Sequence, residues 1–203
     1  MKKNLFSTTL TMLCTVVMLL AATLKMQAQT PAEWKAMKGN VTMYMTNDMG
    51  RNGYYDQKPI AELMGHMGET LGPKCVLAVG DIHHFNGVAS VNDPLWTTNY
   101  EQVYSHPELM LNWFPVLGNH EYRGNTQAVL NYGTVSRRWV MPSRYYTKVI
   151  TGKGTSVRVV FIDTTPLIDR YRADSITYPD ARKQDMHCLL YTSPSPRDLS
   201  TSR

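Results

Sequence analysis

The sequence predicts an α/β fold built on a parallel sheet. Three observations predict it. Apolar runs and helical repeats follow one another in the order strand–helix–strand–helix–strand, the order from which parallel sheets are built. The run CVLAV at 75–79 is apolar without alternation, as in a strand covered on both faces. Asp48, Asp81 and Asn119 each follow an apolar strand directly. Parallel strands share a direction, so all three fall on the C-terminal edge of the sheet, where open α/β sheets bind ligands.

The elements follow in chain order. Residues 29–40 form a polar lead-in. Val41 to Asn47 alternates and is rich in β-formers, which predicts a strand. Gln57 to Leu71 predicts a helix, with Ile60, Met64, Met67 and Leu71 at helical spacing as a core face and Gly72-Pro73 as its stop. Cys75 to Val79 is the second strand and ends in Gly80-Asp81. Residues 82–95 form a loop that carries His83 and His84. Trp96 to Tyr104 and Pro107 to Leu111 are expected to be helical. Trp113 to Leu117 is the third strand and runs into Gly118-Asn119-His120-Glu121. Arg144 to Ile150 and Ser156 to Ile162 predict a hairpin about the Gly-rich turn 151–154, and its second arm ends in Asp163. Tyr178 to His187 is expected to open a helix.

The two ends are of a different character. Lys2 and Lys3 precede an apolar run from Leu10 to Ala22, Lys25 interrupts it, and Ala28 offers a small residue for cleavage. Residues 1–28 therefore predict a bacterial secretory signal. The alternative is an uncleaved anchor, against which stands a run short of the roughly 20 residues needed to span a bilayer. Export to the periplasm or the exterior is expected, with no stable membrane anchor. From Cys188 the chain reads CLLYTSPSPRDLSTSR. Cys188 to Asp198 is what a transposase-type sequencing adapter encodes in one frame, so residues 188–203 are expected to be foreign to the fold. A Ser/Pro-rich tail is the alternative.

These ends carry the charge. The 203-residue chain has a net charge of +5, with 43 % hydrophobic and 18 % charged residues, a globular composition. Without Lys2, Lys3, Lys25, Arg197, Arg203 and Asp198, 16 basic and 15 acidic side chains remain. That balance gives no support to nucleic acid as a partner. Only Cys75 lies between the two ends, so no disulfide forms there.

The polar edge has a definite chemistry. Two carboxylates, an amide oxygen and an imidazole suit Mn, Fe or Zn. Asp81, on the middle strand, could bridge two cations, and cation pairs hydrolyse phosphate esters. His120 could donate to a leaving group. Each piece alone has an ordinary explanation: Gly-Asp is a common tight turn, a loop His pair is commonly solvated, and Gly-Asn-His-Glu suits a left-handed turn. Their order on consecutive strand ends favours the site.

GDIHHFNGV (80–88) and GNHEYRGN (118–125) resemble the second and third signatures of the calcineurin-like metallophosphoesterases, and NDMG (47–50) resembles the first. SRRWVMPSRYYTKV (136–149) and VRVVFIDT (157–164) resemble the purple acid phosphatase branch, in particular its small tartrate-resistant type. The resemblance spans about residues 41–187. It implies the N-terminal portion of an αββα sandwich and hydrolysis of phosphate monoesters by a metal-activated water at a two-metal site. The substrate would be a phosphorylated small molecule. It implies that Asp48 binds the first metal, Asp81 bridges both, and Asn119 binds the second. His120 would contact the phosphate or leaving group, and Glu121 would orient that His or a ligand. A phosphodiesterase or nucleotidase, or a degenerate domain that only binds, remain the alternatives.

Two departures stand out. The purple enzymes have Tyr three residues after the bridging Asp, where this chain has His84. His84 is expected to give the first metal a nitrogen, which makes a ferric ion less favoured there and Fe(II), Zn or Mn more so among two divalent or trivalent ions, and removes the ferric colour. His83 is expected to face the other way. The Gly-His and Gly-His-x-His motifs that complete the family's site are absent, and His66 and His106 match no ligand position. The piece is accordingly expected to be inactive alone.

Overall fold

The computed structural model describes residues 30–183. The signal-like segment 1–28, residues 184–187 and the tail 188–203 lie outside the described residues. The N-terminal lead-in holds a helix, α1 (Pro31–Met37), where no element is predicted. Thr30 caps it: its Oγ1 accepts the Glu33 N–H at 3.4 Å, and Glu33 accepts the Thr30 N–H in return. This reciprocal cap is what starts so short a helix.

From Met37 onward the chain builds a parallel sheet of three strands in the order β1-β2-β3, with β1 at Tyr44–Thr46, β2 at Cys75–Val79 and β3 at Asn112–Val116. Thr46 pairs with Ala78 and Ala78 with Pro115, so the three strands end level with one another. The helix α2 (Gln57–Leu71) joins β1 to β2 and stops at Gly72, whose φ of 58° ends it. Between β2 and β3 the chain makes only a π-helical turn (Thr97–Glu101) and a 3-10 turn (Pro107–Leu109). A short helix, α3 (Thr126–Asn131), follows β3, capped by the Asn125 carbonyl oxygen. The hairpin β4 (Tyr146–Gly152) and β5 (Thr155–Phe161) forms a separate antiparallel sheet that turns at Lys153-Gly154. Helix α4 (Asp169–Ala173) comes last. Residues 178–183 form turns rather than the start of the expected helix, and 184–187 are not described.

The apolar run of β2 is covered on both sides, as its composition predicts. Val76 and Ala78 face a large aromatic core, and Cys75 and Leu77 face a smaller one with Phe114, Ile150 and Phe161. In the larger core Trp96 stacks on Tyr132 with centroids 3.5 Å apart, and Trp139 meets both edge-on. Arg138 is buried there, its guanidinium paired with Glu101 at 2.6 Å and with the Tyr104 carbonyl at 2.7 Å.

Helix α2 departs from expectation. Its buried face is Gln57, Ala61, Gly65, Gly68 and Leu71, whereas Ile60 of the predicted stripe is 51 % exposed. The reason is close packing. A Cβ at Gly65 would meet the His106 ring at 2.2 Å, so the segment 106–108 lies directly on the helix. Small residues mark the contact with 106–108, while Leu71 of the predicted stripe is buried and Met64 packs against the core as its spacing predicts.

Candidate metal centre

Because the three parallel strands end level, their following loops share one edge. Asp48 and Asp81 both hold left-handed backbone, with φ of 50° and 52°. That conformation costs a non-glycine residue about 1–2 kcal/mol. The surroundings impose it: the Asp48 N–H donates to the Gly80 carbonyl at 3.2 Å, and the Gly50 carbonyl accepts the His84 N–H at 3.1 Å. Two glycines make the approach possible. A Cβ at Gly118 would lie 2.2 Å from Asp81 Oδ1, and one at Gly50 would lie 2.0 Å from the Ile82 carbonyl oxygen.

Glu121 holds the loops together. It is fully buried, and its two oxygens accept four backbone N–H groups: Gly118 at 2.7 Å, Ile82 at 2.8 Å, Asp81 at 2.9 Å and His83 at 3.0 Å. Burial pushes its pKa up to about 7, against the N–H donors, which favour the anion. The partners of its carboxylate are thus the backbone that carries Asp81 and the Gly118 N–H.

The side chains converge above this frame. His84, whose side chain is 3 % exposed, has Nε2 3.5 Å from Asp48 Oδ1 and 3.8 Å from Asp81 Oδ2. His120 has Nε2 3.9 Å from the same Oδ2, and the two rings lie 4.1 Å apart. The other oxygens are engaged: Asp81 Oδ1 accepts the His120 N–H at 3.1 Å, and Asp48 Oδ2 accepts from Asn47 at 2.8 Å. Asn119 lines, with Asp48 and Asp81, a groove of about 540 Å³.

The charge state of the two rings matters. Burial lowers the pKa of His84, helped by His120 and Arg51 and opposed by Asp81 and Asp48, so its neutral form is favoured. Its Nδ1 is buried without a hydrogen-bond partner. The Phe85 carbonyl lies 2.7 Å from His120 Nδ1 and requires the proton there, which leaves Nε2 of a neutral ring as a lone pair. His120 Nε2 thus turns a lone pair toward Asp81 Oδ2 at 3.9 Å, and His84 Nε2 faces the two carboxylates at 3.5 and 3.8 Å, separations too long for hydrogen bonds of ordinary length. Two donors bound to one cation at about 2.0–2.2 Å stand roughly 3–3.5 Å apart. The donor set therefore fits a divalent cation.

His83 turns the opposite way. It is fully buried against Trp96, accepts from Asn99 at 3.1 Å, and burial brings its pKa down to about 3. Asn99 also accepts the Asn52 N–H at 2.6 Å, which ties the loop after Asp48 to the same point. Sequence reasoning missed Arg51, whose guanidinium lies over the rings of Phe85 (5.2 Å) and Tyr55 (5.9 Å) beside the cluster. It also missed the role of Asp163, which accepts from Tyr122 at 2.5 Å. Tyr122 directly follows Glu121, and its position in the third signature was the available signal.

A parallel sheet with carboxylate, imidazole and amide donors on its C-terminal edge is an α/β domain with a candidate metal centre at the strand ends. The comparisons are specific: the calcineurin-like phosphoesterase model matches residues 42–191, and the chain belongs to that family. Its relatives include purple acid phosphatase 3 of Arabidopsis thaliana, 36 % identical over 135 residues, which are 66 % of this chain and 36 % of the relative. Purple acid phosphatase 7 of the same plant is 33 % identical over 77 % of this chain and 45 % of its own length. Tartrate-resistant acid phosphatase type 5 of Sus scrofa is 35 % identical over 49 % of this chain and 30 % of its own. Among solved structures, GAP50, the anchor in the inner membrane complex of Plasmodium, superposes with a TM-score of 0.54 at 23 % identity, covering 70 % of this chain and 46 % of that one. This last likeness is one of fold. The chain spans less than half the length of these curated relatives. Among the described residues no helix is long and apolar enough to cross a membrane.

Proposed function

We propose that this chain contributes the first half of the active site of an exported phosphatase that hydrolyses phosphate monoesters at a two-metal centre. The observation that carries the proposal is the convergence of two imidazole nitrogens on one free carboxylate oxygen, Asp81 Oδ2, at 3.8 and 3.9 Å. Asp48 Oδ1 and His84 Nε2 would hold the first cation, Asp81 would bridge, and the Asn119 amide oxygen would serve the second. Fe(II), Zn or Mn suit these donors. Bound cations supply an activated water and neutralise phosphate oxygens. His120, its Nδ1 proton fixed by the Phe85 carbonyl, would take up a second proton at Nε2 from solvent, and the imidazolium so formed would deliver that proton to the leaving oxygen. Glu121 would keep Asp81 in place throughout.

A second assignment rests on the 3.9 Å separation of His120 Nε2 and Asp81 Oδ2: His120 would itself be a donor to the cation. His120→Ala separates the two. Bound metal is retained if His120 acts on the leaving group and falls if it is a ligand.

The test of the main proposal has two arms. In this chain, Asp81→Ala should abolish binding of Mn(II) or Zn(II) at this edge, measured by titration calorimetry. In a protein of the relatives' full length, the same substitution should abolish hydrolysis of a phosphate monoester, with a diester as the comparison substrate. Undiminished activity in that variant refutes the site, and a preference for the diester refutes the substrate class. Export belongs to the same proposal, and is checked by fusing residues 1–28 to a reporter that is active only outside the cytoplasm.

A further inference from the structure

The helix α2 carries a second cluster of donors. Glu62, His66 and Glu69 stand at i, i+4 and i+7 on its outer face. His106 reaches the same face from the segment before β3. One ligand atom from each of Glu62, His66 and His106 lies within 4.8 Å of the other two. Glu62 Oε1 is 3.3 Å from His66 Nε2. Glu69 Oε1 stands between the two rings, 3.5 Å from His66 Nδ1 and 3.6 Å from His106 Nε2.

One member of this cluster, His106, is fixed in place by the fold, and the other three stand on the exposed face of the helix. His106 is held in two ways: its ring lies where a Cβ at Gly65 would stand 2.2 Å away, and its Nδ1 accepts the Glu108 N–H at 3.2 Å. Only 13 % of its side chain is exposed. Packing on Gly65 therefore directs Nε2, which carries the ring's proton while Nδ1 accepts from Glu108, toward a helix face that already carries a Glu–His pair one turn apart. The rings of His66 and His106 meet edge-on at 5.3 Å. His66 lies nine residues past Gln57, roughly 13 Å along the helix from its first residue. The segment 106–110 precedes β3, so it belongs to the opposite end of the strands.

We infer that Glu62, His66 and His106, with Glu69 beside them, form a second divalent-metal site that staples α2 to the segment before β3. Two imidazoles with carboxylates select a borderline cation such as Zn(II), Ni(II) or Cu(II) over Mg(II) or Ca(II). Water completes the coordination, because Glu62 and His66 are more than half exposed. Binding at His106 Nε2 displaces the proton from that nitrogen and requires one on Nδ1, so the ring stays neutral and the Glu108 N–H loses its acceptor. The amide of Glu108 is thus a reporter of loading.

The experiment uses tag-free full chain carrying Asp81→Ala, which silences the other cluster. Zn(II) is titrated by calorimetry, and the Glu108 amide is followed by NMR. One equivalent should bind, with a shift of the Glu108 amide. His66→Ala in the same background should weaken binding at least tenfold, and His106→Ala should do likewise. His66 is exposed and caps nothing, so its replacement leaves the fold intact, which circular dichroism without metal verifies. Unchanged Zn(II) affinity in the folded His66→Ala variant overturns the inference, as does the absence of any binding by the Asp81→Ala chain. Either result leaves the proposal for the Asp81 edge untouched.

Discussion

Gly118→Ala tests whether the metal edge depends on a missing side chain. Gly118 does not have positive φ, so alanine pays no conformational penalty there. The obstacle is space: the new Cβ would stand 2.2 Å from Asp81 Oδ1 and 2.4 Å from the Asp81 nitrogen. Relief requires the Asp81 loop to retreat by about 1 Å. Overpacking of that kind costs about 1–3 kcal/mol, and donors must sit within about 0.5 Å of their working positions. Gly154→Ala is the matched control. Its φ is 70° and nothing lies within 4 Å, so it should lose about 1 kcal/mol from backbone strain alone. Metal titration and urea denaturation are run on both. Gly118→Ala should lose at least tenfold in Mn(II) or Zn(II) affinity at the Asp81 edge, and Gly154→Ala should bind as the parent does. Equal affinities in the two variants would refute the argument that Asp81 is placed by the cavity at Gly118.

Asp163 should make stability depend on pH, because burial raises its pKa from 3.8 to about 6. The fold then favours the protonated acid, a contribution full below about pH 4 and lost as pH rises through 6. A shift of about two units corresponds to roughly 3 kcal/mol, and Asp163→Asn should remove that much of the difference in unfolding free energy between pH 4 and 7.5; an unchanged slope contradicts it. Asn99→Ala leaves the Asn52 N–H and His83 Nδ1 without their partners, and should cost about 2–4 kcal/mol in denaturant titration. A loss below 1 kcal/mol would show that the two groups find other partners. The Cys75 thiol is buried and its pKa raised to about 11 by that burial, so a thiol reagent at pH 8 should label it only in denaturant. Rapid labelling of native protein would show that β2 opens readily.

The parallel order was legible because strand, helix and loop differ in period, and because CVLAV leaves no polar face. The positions of Asp48, Asp81 and Asn119 were legible for a related reason: strands that share a direction share an edge. The buried face of α2 was legible only in part: Leu71 and Met64 pack as their spacing predicts, but hydropathy ranks Ile60 above Gly65, while the packing of His106 needs the glycine. Helix α3 was missed because six residues give too little period; only the Asn125 cap announces it. The partners of Glu121 are backbone N–H groups, which every residue owns, so no side-chain pattern could reveal them. Arg51 is placed by a turn with three further left-handed non-glycine residues, Asn52, Tyr55 and Asp56, and composition does not predict such a turn.

Glu121 comes from the loop after β3, yet three of the four N–H groups it gathers belong to the loop after β2. Without it those three amides would form a concave, positively polarised surface with no anion to fill it. Neither loop is therefore complete as an isolated peptide. The arrangement of donors is complete only when β2 and β3 are paired, and a chain that has formed Asp81 but not Glu121 has the ligand without the geometry that makes it one.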